Sequence, residues 1–444
     1  MRRARVATVA LLLAGCARGT TSGAAAAPVP AAGSTESAVT VGKRVAERFR
    51  VAALASRRFT HAQLWAALDP IVRAPAFRVT EIGRSIQGRP IRAVTYGSGP
   101  TRVLLWSQMH GDESTATMSL ADLMAWLGDA SDVDAALRAR LARELTIVMV
   151  PMLNPDGAEV FQRENALGVD VNRDAARLAT PEARTLKALR DSVRPQFGFN
   201  LHDQGARILT GRSGRQVGIA LLAPAADESR GYTGARGAAR LVASGLVTVV
   251  EGEIPGRVAK YEDDFNPRAF GDLMQRWGTS TVLIESGALP NDPEKQRLRA
   301  INVVAILSAL DAIGSGRYRA ADPLIYDRLP MNARTAVDVL VRGAMVVLPG
   351  APPMRADLAL NYDEPLTRTR PRVREVGDLS LVVAMDTVEG AGLFLHPSPA
   401  MLDDSRGGAR RLRIGAPATF TLRRGREATS EAVPVPPSLS PDPS

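Results

Sequence analysis

Residues 102–129 read RVLLWSQMHGDESTATMSLADLMAWLGD. The opening RVLLWSQ is an apolar run containing a β-branched residue, which predicts a buried strand. From Ser114 onward, Met118, Leu120, Leu123, Met124 and Leu127 recur at helical spacing. His110 and Glu113 therefore fall where a strand gives way to a helix. Two later segments, QFGFNLHD (196–203) and TVLIES (281–286), again carry a polar residue, His202 and Glu285, to the end of a strand-like run. In open α/β sheets, ligands bind beyond the carboxyl ends of the strands. The expected fold is α/β, a mixed, mostly parallel sheet flanked by helices.

Further strands are expected at 91–96, 102–107, 145–150, 197–202, 217–223 and 280–285, and helices at 114–129, 182–193, 234–247 and 293–312. This alternation is that of an α/β sheet. From about residue 320 the pattern changes. TAVDVLVRGAMVVL, RADLALNY, DLSLVVAM and RLRIGAPATFTLRR are short β-rich runs separated by Pro and Gly. They predict a smaller β-rich domain over 319–426. Residues 43–318 form the main domain, and the whole is long enough for a large core.

Both ends differ from this globular part. MRRARVATVALLLAGC has a basic start, a short apolar core and then Leu13-Ala14-Gly15-Cys16, the pattern of a secretory signal peptide with a lipobox over 1–16. The apolar run is too short to span a bilayer. Cys16 is the sole cysteine of the chain, so no internal disulfide is available. These features predict an exported protein, lipid-anchored at Cys16 on the periplasmic or cell-surface side of a bacterial membrane. Ala17 favours the outer membrane. Residues 17–42 are dominated by Ala, Gly, Pro, Ser and Thr and predict a flexible tether; the Pro-rich 427–444 predict a disordered tail.

The net charge is +10, with 56 Lys and Arg against 46 Asp and Glu. Only Lys43, Lys187, Lys260 and Lys295 are lysines, and the arginines are scattered rather than striped with aromatics. No nucleic-acid surface is expected. Contact between the basic chain and anionic lipid remains a reading of the charge alone.

The candidate chemistry rests on four histidines, His61, His110, His202 and His396. His61 lies in a polar helix-like stretch and His396 in a Pro-flanked loop. A catalytic zinc takes three protein ligands and one open position, and His₂Glu is a known set. His110 and Glu113 can chelate from a single turn, and His202 is the candidate third ligand. A His-x-x-Glu pair alone is weak evidence. Its strength comes from the order in which further segments follow: PMLNPDG (151–157), GVDVNRD (168–174), the LHD at 201–203 and the IES at 284–286.

Together with IGRSIQGRPI (82–91), these segments resemble the zinc carboxypeptidases over about residues 78–312. The resemblance implies one zinc ion held by His110, Glu113 and His202. It implies that Glu285 is the general base, and that Asn172 and Arg173 grip the substrate's terminal carboxylate. Arg163 is the candidate for oxyanion stabilisation, with surface solvation as the competing reading. The family's mobile tyrosine is less clear; Tyr261 has the better spacing of the two available, and a surface role competes with it. Asp203, directly after a ligand histidine, is either a support for the metal or a helix cap.

The implied function is a zinc-dependent metallocarboxypeptidase acting on peptides outside the cytoplasm. The alternative is a zinc amidohydrolase cleaving N-acyl amino acids or peptidoglycan stem peptides, which shares the metal and the base. A surface lipoprotein with a degenerate enzyme core would be expected to lose a ligand or the base, and this chain has all of them. Side-chain specificity and oligomeric state are not written in the sequence.

Overall fold

A computed structural model describes residues 36–211, 214–333, 336–404 and 410–440. Cys16 and the rest of the expected leader lie outside the described residues. All the elements below belong to one unit, Ser37–Ser444.

The first layer is built on strands β1 (Phe77–Arg84), β2 (Pro90–Tyr96), β3 (Thr101–Ser107), β4 (Leu145–Val150) and β5 (Phe197–Asp203). It continues with a short β6 (Leu209–Thr210), then β7 (Ile219–Leu222), β8 (Val258–Lys260) and β9 (Ser280–Ser286). All but β6 join one sheet in the order β1-β2-β4-β3-β5-β9-β7-β8. The centre, β4-β3-β5-β9, is parallel, while β1, β2 and the β7–β9 pairing are antiparallel. The sheet is thus mixed and parallel at its core, as the alternation predicts.

Ten helices accompany it among the described residues: α1 (Ala38–Arg48), α2 (His61–Val72), α3 (Thr115–Leu127), α4 (Ala135–Glu144), α5 (Pro155–Val160), α6 (Pro181–Val193), α7 (Gly234–Glu253), α8 (Phe270–Arg276), α9 (Gln296–Gly314) and α10 (Pro323–Asp327). None is long and apolar enough to cross a membrane. Because side chains alternate along a strand, β3 sends Val103 and Leu105 into one core with α1, α2, α3, α7 and α9. Leu104 and Trp106 enter a second core with α6 and α8. Both faces of the central strands are therefore buried, which explains why RVLLW reads as a continuous apolar run.

Two termini depart from the compositional reading. The tether is expected through residue 42, but Ser37 caps α1 by accepting a hydrogen bond from the Thr40 amide, so residues 38–42 are helical. Val41 and Val45 are buried in the first core. Gly42 lies so close to α9 that an added Cβ would sit 2.9 Å from the Val304 Cα. The Ala-rich composition hides this apolar face. Residues 319–331, assigned by composition to the β-rich domain, instead include α10, whose buried Tyr326 hydroxyl accepts a hydrogen bond from the Ala223 amide of the first layer.

The remaining strands, most of them in a second sheet, are β10 (Asn332–Ala333), which pairs with β6, then β11 (Ala336–Val346), β12 (Met354–Glu364), β13 (Thr369–Gly377), β14 (Val383–Glu389), β15 (Phe394–Pro397), the separate pair β16 (Leu402–Asp404) and β17 (Arg410–Leu412), β18 (Phe420–Arg423) and β19 (Ala432–Val433). Strands β13-β12-β11-β15-β18-β19 run in that order, with β14 also on β11, around a core of their own. His396 lies within β15 rather than in a loop. The tail expected to be disordered from 427 is ordered to Ser440. Val433 pairs with Leu422, Leu439 is fully buried, and the Tyr362 hydroxyl meets the Ser438 hydroxyl at 2.9 Å. Val433, Val435 and Leu439 pack it against the second sheet's core.

Candidate metal centre and its cleft

The turn between β3 and α3 carries the first two candidate ligands. Gln108 adopts a left-handed backbone conformation, φ 48°, and its side-chain amide donates to the Gly111 carbonyl at 2.9 Å. Gly111 then packs directly on the start of α5: a Cβ there would lie 2.1 Å from the Gly157 carbonyl carbon. The NPDG segment builds that platform, with Pro155 in the first turn and Asn154 accepting from the Gly157 amide at 2.9 Å. Asp156 in turn accepts from the Ser85 hydroxyl at 2.7 Å, the Gln87 amide at 2.9 Å and the Arg89 guanidinium at 2.7 Å. IGRSIQGRPI and NPDG are thus one scaffold beneath the His110 turn.

His202 arrives from the carboxyl end of β5. Its Nδ1 lies 2.6 Å from Glu113 Oε2 and 3.1 Å from His110 Nδ1, and His110 Nδ1 lies 2.7 Å from Glu113 Oε1. Candidate ligand atoms from the three residues lie within 4.8 Å of one another, and all three side chains are buried. Around a tetrahedral zinc with bonds of about 2.0–2.1 Å, ligand nitrogens stand about 3.3 Å apart. The spacing of the two imidazoles is close to that, and the donor set of two nitrogens and a carboxylate suits zinc.

The surrounding charges fit a cation. Burial alone would push His110 down, but Glu113 and Asp170 outweigh it and raise the imidazole to about 9. Its Nε2 lies 3.1 Å from Asp170 Oδ1. A carboxylate on the outer nitrogen fixes the ring and makes the inner nitrogen a better donor. The outer nitrogen of His202 meets the Asn172 side-chain amide at 3.5 Å rather than a carboxylate, and burial holds this imidazole below the usual histidine value despite Glu113. Burial also acts to raise Glu113, but the two imidazoles hold it well below the carboxylate range.

Glu285 stands on β9 as the direct register neighbour of His202 on β5. It is 8% exposed, and among the described residues its Oε2 has no hydrogen-bond partner. Burial, then repulsion from Glu113, pushes its carboxyl well above the usual range. A carboxyl moved toward neutrality and left unbonded can accept and return a proton.

Arg163 spans the outside of the cluster. It donates to Glu113 Oε1 at 3.2 Å and to Asp170 Oδ2 at 3.1 and 2.9 Å. Asn172 is buried, with its Oδ1 accepting from the Phe270 amide at 2.9 Å. Arg173 donates to the Asn172 carbonyl at 2.8 Å. Arg163, Asn172, Arg173, Glu285 and Tyr261 all line one cavity of about 880 Å³, together with His110 and Glu113. The expected site residues among the described ones therefore line a single cleft at the carboxyl ends of β3, β5 and β9, except His202, which is buried against His110 and Glu113.

Asp203 meets the cluster through its backbone rather than through its side chain. Its Oδ2 accepts from the Thr115 hydroxyl at 2.7 Å and the buried Lys295 ammonium at 3.1 Å, and its amide donates to Glu113 Oε2 at 3.1 Å. Sequence reasoning missed Asp170 and Lys295. Asp170 lies inside the quoted VDVNRD, two residues before Asn172, whereas nothing around Lys295 singles it out.

Residues 68–202 match the family model described as zinc carboxypeptidase. This stretch is similar to the zinc carboxypeptidases. Relatives include a probable carboxypeptidase 2 of Arthroderma benhamiae, 33% identical over 102 residues that cover 23% of this chain and 19% of the relative. Carboxypeptidase SOL1 of Arabidopsis thaliana is 30% identical over 103 residues, 22% of this chain and 21% of the relative. The match spans about a fifth of the length of these curated relatives. Among solved structures, a metallo-carboxypeptidase from Burkholderia cenocepacia is 19% identical, with TM-score 0.46 over 57% of this chain and 70% of that one. The zinc carboxypeptidase match ends at His202, so it reaches His110, Glu113, Arg163, Asn172 and Arg173 but not Glu285.

Proposed function

We propose that this protein is a zinc-dependent metallocarboxypeptidase that hydrolyses peptide bonds at or near the C-terminus of peptides, outside the cytoplasm. The observation that carries this reading is the register pairing of His202 with Glu285, which sets a carboxylate whose Oε2 has no partner among the described residues beside the His110–Glu113–His202 cluster. Zinc held by those three residues would supply Lewis-acid polarisation of the scissile carbonyl and a more acidic attacking water. Glu285 takes the water's proton and returns one to the leaving amine. Arg163 supplies a fixed cation for the developing oxyanion. Arg173, with Asn172, holds the terminal carboxylate through the paired N–H bonds that a guanidinium offers. Tyr261, on the wall of the same cavity, is positioned to contact bound substrate. Export and anchoring rest on the basic start, the apolar core and Cys16.

The test uses full-length protein, wild type and Glu285→Gln, assayed for zinc and for trimming of a mixed peptide library by mass spectrometry. The expected result is about one zinc per chain in both forms, with C-terminal trimming that falls about 10²- to 10⁴-fold in the variant. Zinc without trimming transfers the site to the amidohydrolase reading, with muropeptides as the next substrates. Failure of both forms to take up zinc refutes the metal site itself.

A further inference from the structure

The cleft is not closed by the first sheet alone. Its lining includes Glu364, Pro365, Leu366 and Thr367, the turn that joins β12 to β13 of the second sheet. Pro365 and Leu366 are half-buried there and present an apolar surface, whereas charged Glu262, Asp264 and Glu294 line other parts of the same cavity.

The turn is held in place by the segment that leaves the metal centre. Five residues after His202, Arg207 donates to Asp338 of β11 through Nε at 2.9 Å and pairs with it through Nη2 at 2.8 Å. The same guanidinium donates to the Tyr362 carbonyl of β12, and Asp338 also accepts from the Tyr362 amide at 2.7 Å. Tyr362 lies two residues before the turn. Beside this node, Asn332 donates to the Gln204 side chain at 2.9 Å, and β6 pairs with β10. Within the hairpin, Arg370 donates to Glu364 at 3.0 Å, and the Thr367 and Thr369 hydroxyls meet at 3.1 Å. A surface fixed this way meets a ligand with little ordering cost.

We propose that the β12–β13 turn is a substrate-binding wall of the cleft, with Leu366 contacting the part of a peptide chain remote from the bond being cleaved. The inference rests on the peptidase reading above and deepens it: the second sheet selects longer peptides over minimal ones. Contacts remote from the reacting bond are felt by substrates long enough to reach them.

The experiment compares full-length wild type, Leu366→Ala and Leu366→Met on two substrates, a blocked dipeptide and a pentapeptide with the same two C-terminal residues. Zinc content and thermal unfolding are measured on each sample. The expected result for Leu366→Ala is a fall of about fivefold in the pentapeptide-to-dipeptide ratio of kcat/KM, carried by KM, with Leu366→Met restoring most of it. Wild-type cleavage with an unchanged ratio in Leu366→Ala overturns the wall alone. A ratio that rises makes the turn a barrier and equally overturns it. Wild type that holds zinc and cleaves neither substrate overturns the peptidase reading, and the wall with it.

Discussion

Removing the carboxylate of Asp170 tests whether the metal centre depends on its outer support. Asp170 Oδ1 lies 3.1 Å from His110 Nε2, and Oδ2 takes two N–H bonds from Arg163 at 3.1 and 2.9 Å. Asp170→Ala therefore frees the ring of His110, lowers the basicity of its inner nitrogen and unpins Arg163, while leaving the three candidate ligands in the chain. Loss of such an outer partner weakens metal affinity about 10- to 100-fold, which is about 1.4–2.7 kcal/mol. Asp170→Asn keeps an acceptor but not the charge, so its loss should be the smaller of the two. Zinc affinity is read by competition with a chromophoric chelator at fixed pH, with circular dichroism to establish that each variant is folded. A folded Asp170→Ala protein that binds zinc within threefold of wild type would falsify the argument, because the contact would then be bystander geometry.

Two further expectations concern stability. Arg299 is fully buried and bonded to Asp122 at 2.7 and 2.5 Å and to the Leu54 and Val51 carbonyls at 2.7 and 3.1 Å. Arg299→Met strands the Asp122 charge and should cost about 3–5 kcal/mol in denaturant unfolding, while Arg299→Met with Asp122→Leu recovers much of it; a double variant no better than the single refutes the stranded charge. Asp272, 8% exposed on the cleft wall, is raised by burial from 3.8 to about 6 despite a hydrogen bond from the Asn266 amide. A carboxyl raised on folding lends stability that is complete below pH 4 and lost as pH climbs through about 6, here about 3 kcal/mol at most. Asp272→Asn should thus gain on wild type in thermal unfolding between pH 4 and pH 7.5, and a gap that stays constant with pH counts against burial as the cause.

The central strands were legible because burial on both faces writes them as unbroken apolar runs, and the ligands because each one ends such a run. His110, Glu113, His202 and Glu285 could be placed from that pattern and family order together. Asp170 and Lys295 could not, since each acts through a contact whose partner is remote in sequence: 60 residues for Asp170 with His110, 92 for Lys295 with Asp203. Composition misled at both termini for one reason. It averages over residues, whereas docking depends on a few of them: Val41 and Val45 in an Ala-rich stretch, and Val433 and Leu439 among prolines. The reach of the second sheet into the cleft is a tertiary fact with no local trace, because Pro365 and Leu366 read as any hairpin turn.

The alignment of β5 with β9 divides what this scaffold must keep from what it can vary. Asn200 and His202 share one side of β5, as Leu283 and Glu285 share one side of β9, and Asn200, Leu283 and Glu285 all reach the cleft. The chemistry sits on the His202–Glu285 pair of the ladder, and the floor beneath it on the Asn200–Leu283 pair two residues back. Exchanging Asn200 or Leu283 can reshape what the floor accepts while the outer pair keeps its place, so new substrate preferences are open to descendants of this chain by single steps that leave the reacting groups untouched.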